Sequence, residues 1–135
     1  MKQAKQVAEW HHKFGVPISE YPKTLQLDRV ELRNNILVEE VKELYRATKE
    51  QDIDGIADAL ADCLFVLLGT ACECGLHTYM EKIFDEVHRS NMSKLDENGN
   101  PIFRKDGKVL KSKLFTPPNF KHKFPHPKYE TNEQQ

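Results

Sequence analysis

The chain has 135 residues, of which 39% are hydrophobic and 30% are charged, and its formal net charge is −1. A chain of this length forms one domain with its own hydrophobic core, without structural metal ions or disulfides. The balanced charge excludes the strongly basic class of nucleic-acid-binding proteins, so we expect no nucleic-acid partner.

The N-terminal part of the chain predicts a short helix, a loop and a long helix. Apolar residues recur at near-helical spacing from residue 2 to about residue 14, and Gly15 ends that pattern. A loop that contains two prolines follows. The second helix is predicted from Asp28, as its N-cap, to about Glu50.

The third predicted helix, GIADALADCLFVLLGTAC over residues 55–72, is apolar on every side apart from Asp58 and Asp62. A helix of this kind is buried in a protein core or in a membrane. Its carboxylates and its short uninterrupted apolar run argue against a membrane, so we expect the central helix of a bundle. All three cysteines lie in or beside it, and their odd number and spacing predict reduced thiols in a cytoplasmic protein.

A fourth helix is predicted over residues 76–91, and the character of the chain then changes. Asp106-Gly107 is a turn signal between two short β-prone pieces, Pro101–Phe103 and Val109–Leu110. This pattern predicts a small hairpin.

The predicted fold is therefore all-α, with a four-helix-bundle-like core and a short C-terminal hairpin. We assign residues 1–116 to this domain. Residues 117–135 hold four of the seven prolines and show no hydrophobic periodicity, which predicts an extended or disordered tail.

Three acids of the second helix are candidates for a site. Glu39, Glu40 and Glu43, in the run LVEEVKEL, fall within an arc of roughly 100° at the margin of the apolar stripe. Taken alone, acids at this spacing more often form a solvated helix face than a site.

Asp58 and Asp62 of the third helix share one face, because they are four residues apart. Their mutual repulsion leaves two interpretations open. In the first, Asp58 lies near an exposed helix end and Asp62 pairs with a Lys or Arg. In the second, both face a cation shared with Glu40 and Glu43, and oxygen ligands of this kind favour Mg²⁺ or Mn²⁺.

The run LVEEVKEL followed by DALADCLFVLLGTA resembles the all-α nucleoside triphosphate pyrophosphohydrolase superfamily, which includes MazG-like and phosphoribosyl-ATP pyrophosphohydrolase-like enzymes. The resemblance covers about residues 8–96. It implies Mg²⁺-dependent hydrolysis, with Mn²⁺ as an alternative, of a nucleoside triphosphate or related nucleotide to the monophosphate and pyrophosphate. It also implies assembly as a homodimer or homotetramer.

The same resemblance implies metal ligands at Glu40, Glu43 and Asp62, with Glu39 as a ligand or as the base that activates water. The commoner signature of the superfamily has an acid three residues before the final Asp. An alanine takes that position here, and Asp58, one residue earlier, is the candidate fourth carboxylate.

Candidate substrate-binding residues lie in two further places. Asn91 and Lys94, in RSNMSK, resemble the residues of the superfamily that approach the triphosphate, and Arg89 is a candidate beside them. The alternative for this group is surface capping beyond the helix end. His12 is a candidate for contact with the base, together with the aromatic side chains of the first helix, which otherwise pack into the core.

Other functions stay open from the residues alone. A non-catalytic helical oligomerisation or binding module would need basic partners for the two aspartates. Asp85-x-x-His88 is half of the pattern used by di-iron bundles, which need two such motifs. Cys74 and His77 would need a third partner to act as a nucleophile pair.

Overall fold

The computed structural model describes residues 1–126, which form two compact units, Met1–Met80 and a second that begins at Glu81. Its regular structure is mostly helical, which confirms the all-α prediction. The elements are α1 (Lys2–Phe14), α2 (Leu27–Glu50), α3 (Ile53–Glu73), α4 (Met80–Met92), β1 (Ile102–Phe103) and β2 (Val109–Leu110), with a 3₁₀ turn at His77–Tyr79.

The loop between α1 and α2 folds back on the C-terminal end of α3. The Ser19 N–H donates a hydrogen bond to the Cys72 carbonyl at 2.9 Å. Gly75 follows α3 with φ 68°, and a Cβ atom at this position would collide with the Tyr21 carbonyl. Glycine is therefore needed where the loop crosses the end of α3.

The two long helices begin differently. The N-cap of α2 is Gln26, whose side chain makes no capping hydrogen bond, so the predicted N-cap at Asp28 is wrong. Asp28 lies inside the first turn, where its carboxylate interacts favourably with the helix dipole. In α3 the carboxylate of Asp52 accepts a hydrogen bond from the Gly55 N–H at 3.1 Å. This cap supplies a partner for one N–H group that the first turn of a helix leaves unbonded.

Helices α2 and α3 pack as an antiparallel pair. Near the start of α3, a Cβ atom on Gly55 would lie 3.2 Å from Cβ of Ala47 near the end of α2. Near the end of α3, a Cβ atom on Gly69 would collide with the guanidinium of Arg33 in the first half of α2. Both glycines of α3 thus lie against side chains of α2, with little room for a larger residue.

A small apolar core lies between α1 and α3. Ala4 and Val7 of α1 pack with Leu68 and Cys72 of α3, and all four side chains are buried. Burial raises the pKa of the Cys72 thiol to about 11, so this thiol stays protonated at neutral pH. The reduced, buried thiol predicted from the sequence fits this position.

One face of α3 remains exposed in the single chain. Leu60, Leu64 and Leu67, here called the leucine stripe, are 54%, 41% and 50% exposed. At about 100° per residue the stripe lies opposite Gly69, on the side away from α2. The expectation that α3 is buried on every side is therefore wrong for one chain. By length and hydropathy α3 also meets the criteria for a membrane span, as core helices of soluble proteins do.

The second unit contains the predicted hairpin. β1 and β2 pair in antiparallel fashion, with Ile102 opposite Leu110, and Gly107 in the turn has φ 88°. Residues 117–126 contain no helix or strand, and residues 127–135 lie outside the described residues. The domain boundary assigned after residue 116 stays a prediction.

Candidate active site

The antiparallel register brings the acids of α2 towards those of α3. In sequence, Asp62 lies midway between Gly55 and Gly69 of α3. Glu40 lies midway between Ala47 and Arg33, the two residues of α2 that lie next to those glycines. Glu40 is half-buried, and the other four acids are exposed. We call these five residues the acid cluster: Glu39, Glu40, Glu43, Asp58 and Asp62.

Glu40 is the electrostatic centre of the acid cluster. Burial raises the pKa of its carboxyl group, and Asp62 on the facing helix raises it further. Glu43, Glu39 and Asp58 act in the same direction, in that order of size. Four like charges therefore act on one half-buried carboxyl group, which favours a proton or a cation at this position.

The acid cluster has no basic partner in the described part of the chain. None of the ion pairs or side-chain hydrogen bonds within residues 1–126 involves any of its five members. The interpretation that Asp62 pairs with a Lys or Arg finds no support there. Uncompensated acids on two facing helices instead form an attractive position for a cation.

A buried ion cluster fixes α2 against α3 two helical turns from Glu40. Arg29 forms a two-pronged contact with Glu73, with Nη2–Oε1 and Nε–Oε2 distances of 2.6 and 2.9 Å. Arg33 Nη1 lies 3.6 Å from the same Oε1, and Arg33 Nε donates to Thr70 Oγ1 at 3.1 Å. The Glu73 side chain is only 1% exposed. These contacts set the helix register on which the position of Glu40 depends.

The residues of the acid cluster suit a hard divalent cation, because they offer only carboxylate oxygens. Among residues 1–126, no three Asp, Glu, His or Cys side chains are close enough together to hold a metal ion. Charge therefore links the five acids, but their side chains do not converge on one point. The donor chemistry fits Mg²⁺ or Mn²⁺, and the individual ligands stay predictions.

Two exposed aromatic side chains on α1 lie beside α3. The rings of Trp10 and Phe14 stack with centroids 4.6 Å apart, and Trp10 meets Phe65 edge-on at 5.7 Å. Trp10 is 38% and Phe14 is 67% exposed, so the alternative that both pack into the core is wrong. Phe65 is three residues after Asp62, which puts the aromatic group about one helical turn from the acids. His12 is exposed on the same helix.

The candidate phosphate-binding residues belong to the second unit. Lys94 Nζ donates to Asn91 Oδ1 at 2.8 Å, so the Asn91 amide nitrogen remains a donor. Arg89 is placed differently. Its guanidinium bonds the Glu86 carboxylate at 2.8 Å and Thr116 Oγ1 at 2.7 Å. Arg89 therefore joins α4 to the C-terminal segment, and its contact with phosphate stays a prediction.

Cysteine chemistry is not supported at Cys74 and His77. Burial raises the pKa of the Cys74 thiol and lowers the pKa of the His77 imidazole. A protonated thiol is a poor nucleophile, so a cysteine hydrolase is disfavoured at neutral pH.

Sequence reasoning missed the residues that align the helices. Arg29 and Arg33 are four residues apart and so share one face of α2, and Glu73 is a lone acid at the end of an apolar helix. Two basic residues at this spacing and one isolated acid were a usable signal for a buried ion cluster. Gly69, inside a helix that it weakens, was a signal for close contact.

Comparison with known families gives a match that covers most of the chain. The model of the phosphoribosyl-ATP pyrophosphohydrolase family matches residues 7–91, a range that contains α2, α3, nearly all of α4 and most of α1. The acid cluster and Asn91 lie inside the matched range, whereas Lys94 and the hairpin lie beyond it. A search among curated proteins gave no match to the chain.

Proposed function

We propose, for a chain that belongs to the phosphoribosyl-ATP pyrophosphohydrolase family of hydrolases, that the acid cluster binds Mg²⁺ and that the substrate is a nucleoside triphosphate or a related nucleotide. The products are the nucleoside monophosphate and pyrophosphate, with one water consumed. The observation that carries this proposal is the charge environment of Glu40, whose pKa four other acids raise and which has no basic partner within residues 1–126.

Glu40, Glu43 and Asp62 would hold Mg²⁺ or Mn²⁺, and Asp58 would supply the fourth carboxylate. The bound cation would neutralise charge that develops on the phosphates during hydrolysis. Glu39 is exposed and adjacent to Glu40 in sequence, and its carboxylate would accept the proton of the attacking water.

The remaining candidates are assigned by their chemistry, one group to the phosphates and one group to the base. Lys94 supplies a positive point charge and Asn91 an amide donor for the phosphate oxygens. Trp10 and Phe14 present aromatic surface for the base, because exposed stacked rings suit a flat apolar ligand. His12 on the same helix would contribute a polar contact to the base.

We propose further that the chain assembles as a homodimer or homotetramer in the cytoplasm. The leucine stripe supports this assembly, since three exposed leucines on one helix face are unfavourable in water unless another surface covers them. A second copy of the chain is the partner that this proposal assigns to the stripe. The reduced cysteines support the cytoplasmic location.

The test is pyrophosphate release by the full chain from a panel of ribonucleoside and deoxyribonucleoside triphosphates. We expect activity with Mg²⁺ or Mn²⁺ and its loss with a chelator. Glu40→Gln should abolish most of the activity, whereas Glu50→Gln, an exposed acid of α2 outside the cluster, should not. Activity that persists in the chelator and in Glu40→Gln would contradict the proposal, and complete inactivity with no Mg²⁺ binding would favour a non-catalytic helical module.

A further inference from the structure

Helix α4 buries polar residues along one face. Glu86 is 5% exposed and Ser90 is 3% exposed, and Ser93, in the following turn, is half-buried. The three residues share a face because they are spaced four and three residues apart. Buried polar groups need hydrogen-bond partners, so this face of α4 requires a polar segment against it.

Residues 112–119, here called the C-terminal clasp, supply those partners. Ser90 Oγ donates to the Thr116 carbonyl at 2.9 Å, and the Thr116 N–H donates to Ser93 Oγ at 2.9 Å. The Asn119 N–H donates to the Glu86 carboxylate at 2.8 Å. Each bond pairs a main-chain group of the clasp with a side chain of α4 or the turn after it, so the clasp has a defined register.

The clasp also holds the turn that carries Lys94. Ser112 Oγ donates to the Leu95 carbonyl at 2.8 Å and lies 3.4 Å from the Ser93 carbonyl. Ser93 and Leu95 are the two neighbours of Lys94 in the chain. One serine hydroxyl therefore contacts the main chain on both sides of the lysine, and main-chain position decides where the lysine side chain starts.

We propose that the C-terminal clasp positions Lys94, and through it Asn91, for binding to the phosphate chain of the substrate, with Ser112 and Ser93 as positioning residues. This inference rests on the proposed function, which assigns phosphate contact to Lys94. The clasp lies wholly beyond residues 7–91, the range that the family model matches.

The side-chain contacts favour positioning over direct binding. Ser112 and Ser93 use their hydroxyl groups on the main chain and on each other's segment. Lys94 Nζ bonds only Asn91 Oδ1 within the described residues, at 2.8 Å, which leaves two of its three donors for phosphate oxygens. Loss of a clasp hydroxyl should therefore loosen the lysine without removing a charge.

The experiment is a double-mutant cycle between Ser112→Ala and Lys94→Ala in the full chain. Ser112→Ala should raise KM for the best nucleotide about 3- to 10-fold, the range expected for a lost hydrogen bond, and leave kcat within about twofold. In the Lys94→Ala background the same substitution should have no further effect on KM. Ser112→Thr, which keeps the hydroxyl, should restore most of the loss.

The same double-mutant cycle can be measured without turnover. The quantity compared is then the affinity of each variant for inorganic triphosphate with Mg²⁺, measured by calorimetry. The matched control is Ser19→Ala, which removes a hydroxyl bonded to the Tyr21 carbonyl at 2.7 Å in the first unit and should leave KM and binding unchanged. Equal effects of Ser112→Ala in both backgrounds, or no effect in either, would overturn the inference. A chain that binds triphosphate through coupled Ser112 and Lys94 but releases no pyrophosphate would sink the proposed function and uphold the clasp.

Discussion

Glu40 on α2 and Asp62 on α3 act on each other across the antiparallel helix pair. Burial raises the pKa of Glu40, and the Asp62 carboxylate is the strongest of the four charges that raise it further. The ion cluster of Arg29, Arg33 and Glu73 holds the helices in the register that produces this pair. One set of charges is thus compensated and aligns the helices, while the other is uncompensated and available to a cation.

Gly69→Ala should destabilise the first unit. A helical Gly-to-Ala change normally stabilises by about 0.5–1 kcal/mol, but here the new methyl group would meet Arg33 and lie 3.0 Å from His11 Nε2. We expect a net loss of about 1–3 kcal/mol in the free energy of unfolding, as for other overpacked sites.

The control for Gly69→Ala is the same change in an Arg33→Ala background. Removal of the guanidinium opens the space that the methyl group would fill, so the second substitution should then be nearly neutral. Urea unfolding of the four variants measures the cycle. A similar loss in both backgrounds would show that Arg33 is not the group that restricts position 69.

Glu86 should make the second unit sensitive to acid. Its hydrogen bonds from Arg89 and from the Asn119 N–H, together with the nearby Lys123 charge, lower the pKa of Glu86 from 4.5 to about 2. A lowered pKa stabilises the folded state above the ordinary value of 4.5, and this contribution is lost as the pH falls from 4.5 towards 2.

Glu86→Gln keeps the side-chain shape and an acceptor for the Asn119 N–H but removes the charge. The variant should be less stable than the parent at pH 6, and the difference should shrink as the pH approaches 2. Thermal midpoints between pH 2 and 6 measure this convergence, with Glu97→Gln, an exposed acid of the same unit, as the control. A constant difference across the range would show that the charge of Glu86 is not the stabilising feature.

The leucine stripe should control the oligomeric state. Leu64→Glu places a charge at the centre of the stripe and should shift the mass in analytical ultracentrifugation from a dimer or tetramer to a monomer. Lys49→Glu, on the exposed end of α2, changes charge without touching the stripe and should leave the mass unchanged. A parent chain that is monomeric at micromolar concentration would contradict this assembly.

The elements with a strong local pattern could be predicted from the sequence. The helical spacing of apolar residues predicted α1 and the end of α2 at Glu50, and the Asp106-Gly107 turn predicted the hairpin between residues 102 and 110. The electrostatic interaction between the acids of α2 and α3 was expected from the spacing within each group together with the resemblance to the superfamily.

Contacts between distant residues could not be predicted in this way. Glu73 pairs with Arg29, 44 residues earlier in the chain, and Glu86 accepts a hydrogen bond from the Asn119 N–H, 33 residues later. Nothing local in the sequence selects these two contacts. The exposure of the leucine stripe was missed for a related reason. A helix that is apolar all round shows that every face prefers burial, but it does not show which face the same chain covers.

Asp62→Asn tests the central claim, that the acid cluster exists to bind a cation, most directly. The amide keeps the shape of the side chain and removes one charge from the cluster. We expect the apo form of this variant to be as stable as the parent or more so, because repulsion with Glu40 is relieved. Mg²⁺ should no longer raise its thermal midpoint, and pyrophosphate release should fall by about 10²–10⁴-fold. An Asp62→Asn variant that is active and less stable than the parent by about 3–5 kcal/mol would contradict a cation-binding role for Asp62, since that loss is typical of a broken buried ion pair.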